Sequence, residues 1–125
     1  MTEQMRTVYV SSKLRHRDMW LASGIPTVSS WIVGEEPSQD QYSAMWDRYR
    51  DEIRDCEAIV LYVEPEDQLK GCMLELGMAF MSGHPMIVVW TGTVQALAAK
   101  MGTIVYHDSV RLVASLDEAR PLLKR

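Results

Sequence analysis

Short apolar runs rich in β-branched and aromatic residues alternate along this chain with longer stretches in which apolar residues recur at helical spacing. The runs that predict strands are residues 7–11, 26–33, 58–63, 86–90 and 103–106. The stretches that predict helices are residues 13–23, 39–55, 69–81, 93–101 and 115–123. Strands and helices that alternate with short connections predict an α/β fold, with a five-stranded parallel sheet and helices on both faces.

Two local signals support the helix boundaries. Gly24 follows the first helical stretch, at the position where glycine commonly ends a helix. The sequence Ser115-Leu116-Asp117-Glu118 resembles a capping box at the start of the last helix.

Composition limits the class of protein. With 125 residues, 47% hydrophobic and 24% charged, residues 1–125 suit one compact domain with its own core. The net charge is −4 and the basic residues are scattered, which argues against nucleic acid or an anionic membrane as a partner. No secretory signal and no apolar stretch of about 18 residues occurs, so we expect a cytoplasmic protein.

The two cysteines, Cys56 and Cys72, do not have metal-ligand spacing and are too few for a disulfide framework. We therefore expect buried thiols, with no metal and no cofactor.

Glu75 is the most informative residue for function, because it carries the only formal charge between Gly71 and Gly83. An ionised side chain in an apolar helix is costly unless it is paired, hydrogen-bonded or open to a pocket. The helix follows a predicted strand and the polar loop 64–70, so Glu75 lies near the edge of the sheet where ligands bind in parallel α/β folds. The structural alternative is a carboxylate that interacts favourably with the helix N-terminus.

The first predicted strand brings a second group of candidates to the same edge. Hydroxyls and cations at the start of a helix can hold a ribose or a phosphate. The candidates are Tyr9, Ser11, Ser12, Lys13 and Arg15. In the structural alternative, Ser12 only caps the helix and Arg15 belongs to a solvated face.

Two residues of the central segment remain open to either interpretation. Trp31 follows the second predicted strand, where an indole can stack on a planar base or belong to the core or an interface. Asp47 lies on the next helix among Arg48, Arg50 and Arg54, a pattern typical of a salt-bridged exterior.

Three segments together resemble the nucleoside 2-deoxyribosyltransferase family. They are the tyrosine-bearing run 6–12, the strand 56–62, and the run 69–79 with the turn Gly83-His84-Pro85. The third contains the motif G-x-x-x-E-x-G-x-A, read here from Gly71 to Ala79 with Glu75 as its acid. The likeness extends over nearly the whole chain and is greatest to the short members associated with phages and bacteria.

The resemblance implies a flavodoxin-like Rossmann sheet and chemistry at an N-glycosidic bond. In that chemistry Glu75 attacks the anomeric carbon of a (deoxy)ribosyl group and forms a glycosyl ester, as in retaining glycoside hydrolysis. By position, Tyr9 corresponds to the tyrosine that orients the nucleophile, and Asp47 to the family's acid on the second helix. Gly71 allows the backbone to approach the ligand. The implied partner is a small-molecule nucleoside or nucleotide.

This chain also departs from the family pattern. The family often has an aspartate six residues before the nucleophile, where this chain has Leu69. Asp67 or Glu66 would replace it if the loop shifts. The chain also ends without the aromatic residue or carboxylate that many transferases contribute to a neighbouring subunit's pocket.

Three functions therefore stay open: base transfer, hydrolysis of a nucleoside or nucleoside 5′-monophosphate, and non-catalytic binding that sequesters or senses a ribosyl ligand. In the hydrolase, Ser12, Lys13 or Arg15 would contact the phosphate. The apolar residues Met73, Met78, Phe80 and Met81 exceed what one helix face needs, so we expect a homo-oligomer.

Overall fold

The computed structural model describes residues 4–125 and has an α/β fold with a parallel, Rossmann-like sheet. The strands are β1 Val8–Ser11, β2 Ala58–Tyr62, β3 Met86–Val89 and β4 Val110–Val113. The helices are α1 Arg17–Ser23, α2 Tyr42–Asp55, α3 Gly71–Met81, α4 Val94–Met101 and α5 Leu116–Ala119. All strand pairs are parallel, in the order β1-β2-β3-β4, so the predicted class is confirmed with four strands in place of five.

The alternation of side chains along the strands divides the core into two layers. In β2, Ile59 and Leu61 face α2, α3 and α4, whereas Ala58 and Val60 face α1 and α5. Helices therefore cover both faces of the sheet, as the sequence predicts. The strands are nearly devoid of exposed residues except in β4, which lies at the edge.

The predicted strand 26–33 is wrong as a strand, because only Thr27 forms a β-bridge, parallel to Val8. Residues Ser30–Ile32 instead form a 3₁₀ turn. The bridge lies on the side of β1 that does not pair with β2, so the segment lies beside β1 and pairs with it at a single residue.

Side chains take the hydrogen bonds that a full strand would have made along β1. The Thr27 hydroxyl donates to the Val8 carbonyl at 2.9 Å, and the Ser29 Oγ accepts from the Val10 amide at 2.7 Å. The Trp31 indole N–H donates to the Val10 carbonyl at 2.8 Å. Serine, threonine and tryptophan side chains thus form hydrogen bonds with the backbone groups at the edge of β1. The backbone of residues 30–32 does not need to pair with β1 and forms a turn.

The predicted strand 103–106 is also wrong, because Thr103–Tyr106 forms a 3₁₀ turn and the strand that pairs with β3 is β4. Gly102, at φ 82°, ends α4 and redirects the chain. Val105 is buried in the core, so the apolar character of this segment reflects packing rather than pairing. The true strand includes exposed Arg111 and Leu112 and lacks a strong apolar signal.

The predicted helices are confirmed, with short 3₁₀ turns at several ends. Gly24 adopts φ 72° after α1, and the Ser115 hydroxyl accepts from the Glu118 amide at 3.2 Å. Within residues 4–125 no helix has the length and apolar character needed to cross a membrane. Phe80 and Met81 are exposed on α3, and the homo-oligomer stays a prediction.

Candidate active site

Glu75 lies in the second turn of α3 and is 6% exposed. Its Oε1 accepts a hydrogen bond from the Ser11 hydroxyl at 2.8 Å, and its Oε2 accepts one from the Tyr9 hydroxyl. Tyr9 and Ser11 are two residues apart in β1, so strand periodicity directs both side chains toward α3. The two donors that hold the carboxylate therefore come from a single strand.

Burial controls the ionisation of this cluster. Burial raises the pKa of Glu75 to about 7, while the hydrogen bonds from Tyr9 and Ser11 lower it and the nearby charge of Glu52 raises it. Burial and the adjacent Glu75 charge also raise the pKa of Tyr9, so this phenol stays a neutral donor. Glu75 consequently changes between acid and carboxylate near neutral pH.

A cavity of about 450 Å³ opens over Glu75, between α2, the start of α3 and the segments that follow β1. Its aromatic walls include Trp31, Trp46 and Tyr49. The Tyr49 ring lies edge-on to Trp46, with centroids 5.6 Å apart. Gly71 forms part of the floor, where a Cβ atom would approach the Trp46 ring to 3.2 Å. This space suits a planar ligand that lies close to the carboxylate.

Four cationic side chains line the same cavity: Lys13, Arg17, Arg48 and Lys70. The Arg17 Nε donates to the Ile32 carbonyl at 2.5 Å, and the Arg48 Nε donates to the Ser30 hydroxyl at 3.0 Å. Within residues 4–125, the Lys13 and Lys70 ammonium groups form no hydrogen bond or ion pair. These two lysines are therefore available to an anionic ligand.

Ser12 lines the cavity, but its hydroxyl is already engaged. It accepts from the Trp20 indole at 2.8 Å and donates to the Lys13 carbonyl at 2.9 Å. The side chain does not cap the following helical turn. Of the predicted phosphate contacts on this segment, Lys13 has the freer polar group.

Arg15 and Asp67 belong to an ion-pair cluster that does not line the cavity. The Arg15 Nη2 lies 2.7 Å from Asp67, 3.0 Å from Glu64 and 3.0 Å from Glu66. The buried Asp67 also accepts from the Glu64 amide at 2.8 Å and hydrogen-bonds to His16 at 2.9 Å. The cluster ties the loop before α3 to the segment after β1, so the structure gives both predicted ligand contacts a role in holding that loop.

Asp47 lies on the exposed side of α2, 3.5 Å from Arg50, and is not among the described residues that line the cavity. The structure thus separates it from Glu75 and Tyr9. This position agrees with the salt-bridged exterior that the charge pattern of the helix predicts.

Sequence reasoning did not identify the α2 side of the cavity. Tyr42, Trp46, Tyr49 and Ile53 recur at spacings of four, three and four residues, which is one face of a helix. The first three line the cavity and Ile53 lies in the core beneath it. That periodicity is the signal that identifies the wall, to which Arg48 also contributes, whereas Asp47 and Arg50 lie outside the cavity.

No match to the chain was found among protein-family models, curated protein sequences or solved structures. Fold and site define an α/β protein with a parallel sheet and a cavity at the carboxyl edge of β1, where a buried acid lies close to aromatic and cationic side chains.

Proposed function

We propose that this protein transfers or cleaves the N-glycosidic bond of a (deoxy)nucleoside or nucleoside 5′-monophosphate, with Glu75 as the nucleophile. The observation that carries the proposal is a buried carboxylate that borders an aromatic cavity and is held by two neutral hydroxyls of β1. The resemblance to nucleoside 2-deoxyribosyltransferases implies the same acid and the same tyrosine. The bridge at Thr27, outside β1, agrees with a flavodoxin-like strand order.

Two balanced steps describe the reaction. In the first, ionised Glu75 forms a bond to C1′ of the sugar while the C1′–N bond breaks and its electron pair leaves with the base. In the second, water or an acceptor base bonds to C1′ and the ester oxygen departs, which restores the carboxylate, and the proton that the incoming group loses balances the proton that the departed base takes up. Tyr9 and Ser11 orient the carboxylate without neutralising it, because a hydroxyl carries no charge.

The cavity supports recognition of each part of such a substrate. Trp31, Trp46 and Tyr49 provide aromatic rings against which a base packs, by stacking or edge to face. Gly71 lets the ligand approach the start of α3. Lys13 and Lys70, which have no partner within residues 4–125, favour a substrate that carries a phosphate.

A trapping experiment tests the nucleophile. A 2-fluoro-arabinosyl nucleoside, or its 5′-monophosphate, slows both steps because fluorine destabilises positive charge on the sugar. We expect an intact-mass increase that proteolysis maps to the peptide containing Glu75. The adduct should be absent from Glu75→Gln and present in the matched surface control Asp47→Asn.

Discharge of the adduct separates the two reactions. Release that requires an added purine or pyrimidine base indicates a transferase, and release by water alone indicates a hydrolase. An adduct on another residue would remove Glu75 from the proposed role. Absence of both adduct and free base across a panel of nucleosides and nucleotides would contradict the enzymatic proposal.

One observation favours the non-catalytic alternative. Leu69 occupies the position, six residues before Glu75, where the family often has an aspartate, and Asp67 is held by Arg15 and His16 outside the cavity. A binding module does not need that aspartate. It would retain its ligand in Glu75→Gln and release no base over long incubation, whereas an enzyme would lose turnover in that variant.

A further inference from the structure

A base such as guanine needs a proton to depart from C1′ as a neutral molecule, and the proposed nucleophile cannot supply that proton while it is ionised. The acids that the sequence suggests for this task are Asp47, Glu66 and Asp67, and none of them lines the cavity. Among residues 4–125, the carboxyl groups that do line it, besides Glu75, are Glu35 and Glu36. We propose that the loop bearing Glu35 and Glu36 supplies the general acid that protonates the leaving base.

The loop has the position that this role needs. It runs from Gly34 to Pro37, and all four of its residues line the cavity. Both glutamates are exposed, and neither has a hydrogen-bond or ion-pair partner within residues 4–125.

Hydrogen bonds anchor this loop at its two ends. The Val33 amide donates to the Ser30 carbonyl at 3.3 Å, and the Ser38 amide donates to the Gln41 side chain at 3.0 Å. A loop held only at its ends can close over a bound base and bring a carboxyl group to it.

Two other groups with exchangeable protons suit the role less well. Tyr49 lines the cavity, but burial and the nearby Glu75 charge raise the pKa of its phenol. Burial raises the pKa of Cys72 to about 11, and this thiol interacts with Ser11 on the nucleophile's side of the cavity. The loop carboxyl groups lie outside these constraints, because they line the cavity without a bond to the nucleophile's partners.

The proposed step balances in atoms and charge. The loop carboxyl donates its proton to a ring nitrogen or carbonyl oxygen of the base as the C1′–N bond breaks and the Glu75 ester forms. In the hydrolytic second step, the loop carboxylate removes a proton from the attacking water, whose oxygen bonds to C1′ as the ester bond breaks. One water is consumed, and both acids return to their starting forms.

This inference rests on the proposed function and is tested by comparing two leaving bases. Guanine needs a proton to depart, whereas N7-methylguanine departs from its cationic nucleoside as a neutral base. Both are supplied as nucleoside and as 5′-monophosphate. If wild type accepts only pyrimidines, the corresponding pair is uridine and 5-fluorouridine, because 5-fluorouracil leaves more easily.

In single-turnover assays, where release of the base reports the first step alone, Glu35→Gln or Glu36→Gln should slow release of guanine by about 10²- to 10³-fold. The same variant should keep the single-turnover release of N7-methylguanine within about threefold of wild type. With the pyrimidine pair, the loss should be clearly smaller for 5-fluorouridine. The control Asp47→Asn, which removes an exposed carboxylate of α2 outside the cavity, should leave both rates unchanged.

Two results would overturn the inference. Equal losses on both leaving bases would mean that the loop only covers the site. Retention of both rates within about threefold in the two single variants and the double variant would mean that the loop has no part in proton transfer. Wild-type protein that releases no base from any substrate would instead reject the proposed function, and this inference with it.

Discussion

Two buried carboxylates follow β2 within eight residues of one another, and their environments are opposite. Glu75 is 6% exposed and accepts hydrogen bonds from two neutral hydroxyls, those of Tyr9 and Ser11. Asp67 is 3% exposed and lies between Arg15 and His16. Burial raises the pKa of Glu75 to about 7. Burial also opposes ionisation of Asp67, but the Glu64 amide, Arg15 and His16 outweigh it and lower the pKa.

The difference separates an acid that is available for chemistry from one that holds a loop in place. Asp67 is bound by Arg15, His16 and the Glu64 amide, and it does not line the cavity. Neutral donors fix the direction of Glu75 and leave its charge uncompensated beside an open cavity. A buried acid with neutral partners and access to a ligand is therefore the better candidate for a nucleophile.

The largest expected effect is on turnover. Glu75→Gln should lower kcat by about 10³-fold or more, because an amide cannot form the glycosyl ester. Asp67→Asn, assayed at a temperature where it stays folded, should keep kcat within about tenfold of wild type. Steady-state release of free base measures both. Turnover by Glu75→Gln within about tenfold of wild type would contradict the role of Glu75 as the nucleophile.

The second expected effect is on stability, where Asp67→Asn should be the more damaging of the two substitutions. Asp67→Asn should lower the free energy of unfolding by about 3 kcal/mol at neutral pH, because it removes one partner from a buried charge cluster. Glu75→Gln should raise that free energy by up to about 3 kcal/mol at about pH 8, where wild type must keep a carboxylate buried. Denaturant unfolding of the three proteins measures the differences.

The pH dependence of these differences sharpens the comparison. The pKa of Glu75 is higher in the folded state, so its contribution to stability is present below about pH 4.5 and is lost as the pH rises through about 7. The pKa of Asp67 is lower when folded, so its contribution is present above its unfolded value of about 3.8 and is lost as the pH falls. If the gain in free energy of unfolding from Glu75→Gln does not increase between about pH 4.5 and about pH 7, the raised pKa of Glu75 is contradicted.

A smaller effect is expected from Tyr9→Phe, which removes a donor that lowers the pKa of Glu75. The pKa should rise further, and the acidic limb of the kcat/KM profile should move up by about one pH unit. Activity should then be about tenfold lower near neutral pH and recover at higher pH. An equal loss at every pH would mean that Tyr9 acts through structure alone.

The last effect concerns the two lysines that line the cavity. Lys13→Ala and Lys70→Ala should each weaken binding of a nucleoside 5′-monophosphate by about 1–3 kcal/mol and leave nucleoside binding nearly unchanged. The exposed control Arg50→Ala, on α2 outside the cavity, should affect neither ligand. Calorimetric titration with both ligands measures the difference. Equal losses for nucleotide and nucleoside would show that the lysines do not contact a phosphate.

Local pattern predicted most of the architecture. Apolar runs located β1, β2 and β3, and helical periodicity located all five helices. It failed at residues 26–33, where the side chains of Thr27, Ser29 and Trp31 satisfy the edge of β1. It also failed at Thr103–Tyr106, where Ile104 and Val105 pack into the core without pairing. Both errors arise because β-type composition reports burial, whereas a strand also needs backbone partners.

The sequence by itself determined that one acid would lie in an apolar helix after a strand, with Tyr9 and Ser11 on one face of a neighbouring strand. Spacing was sufficient because strand and helix periodicity depend on local geometry. Only the tertiary structure decided which charged side chains line the cavity. Arg15 binds Asp67, 52 residues away, and Asp47 pairs with Arg50 on the surface. Arg48 and Lys70, by contrast, line the cavity. A long charged side chain can reach several partners from one backbone position, and packing between distant segments selects among them.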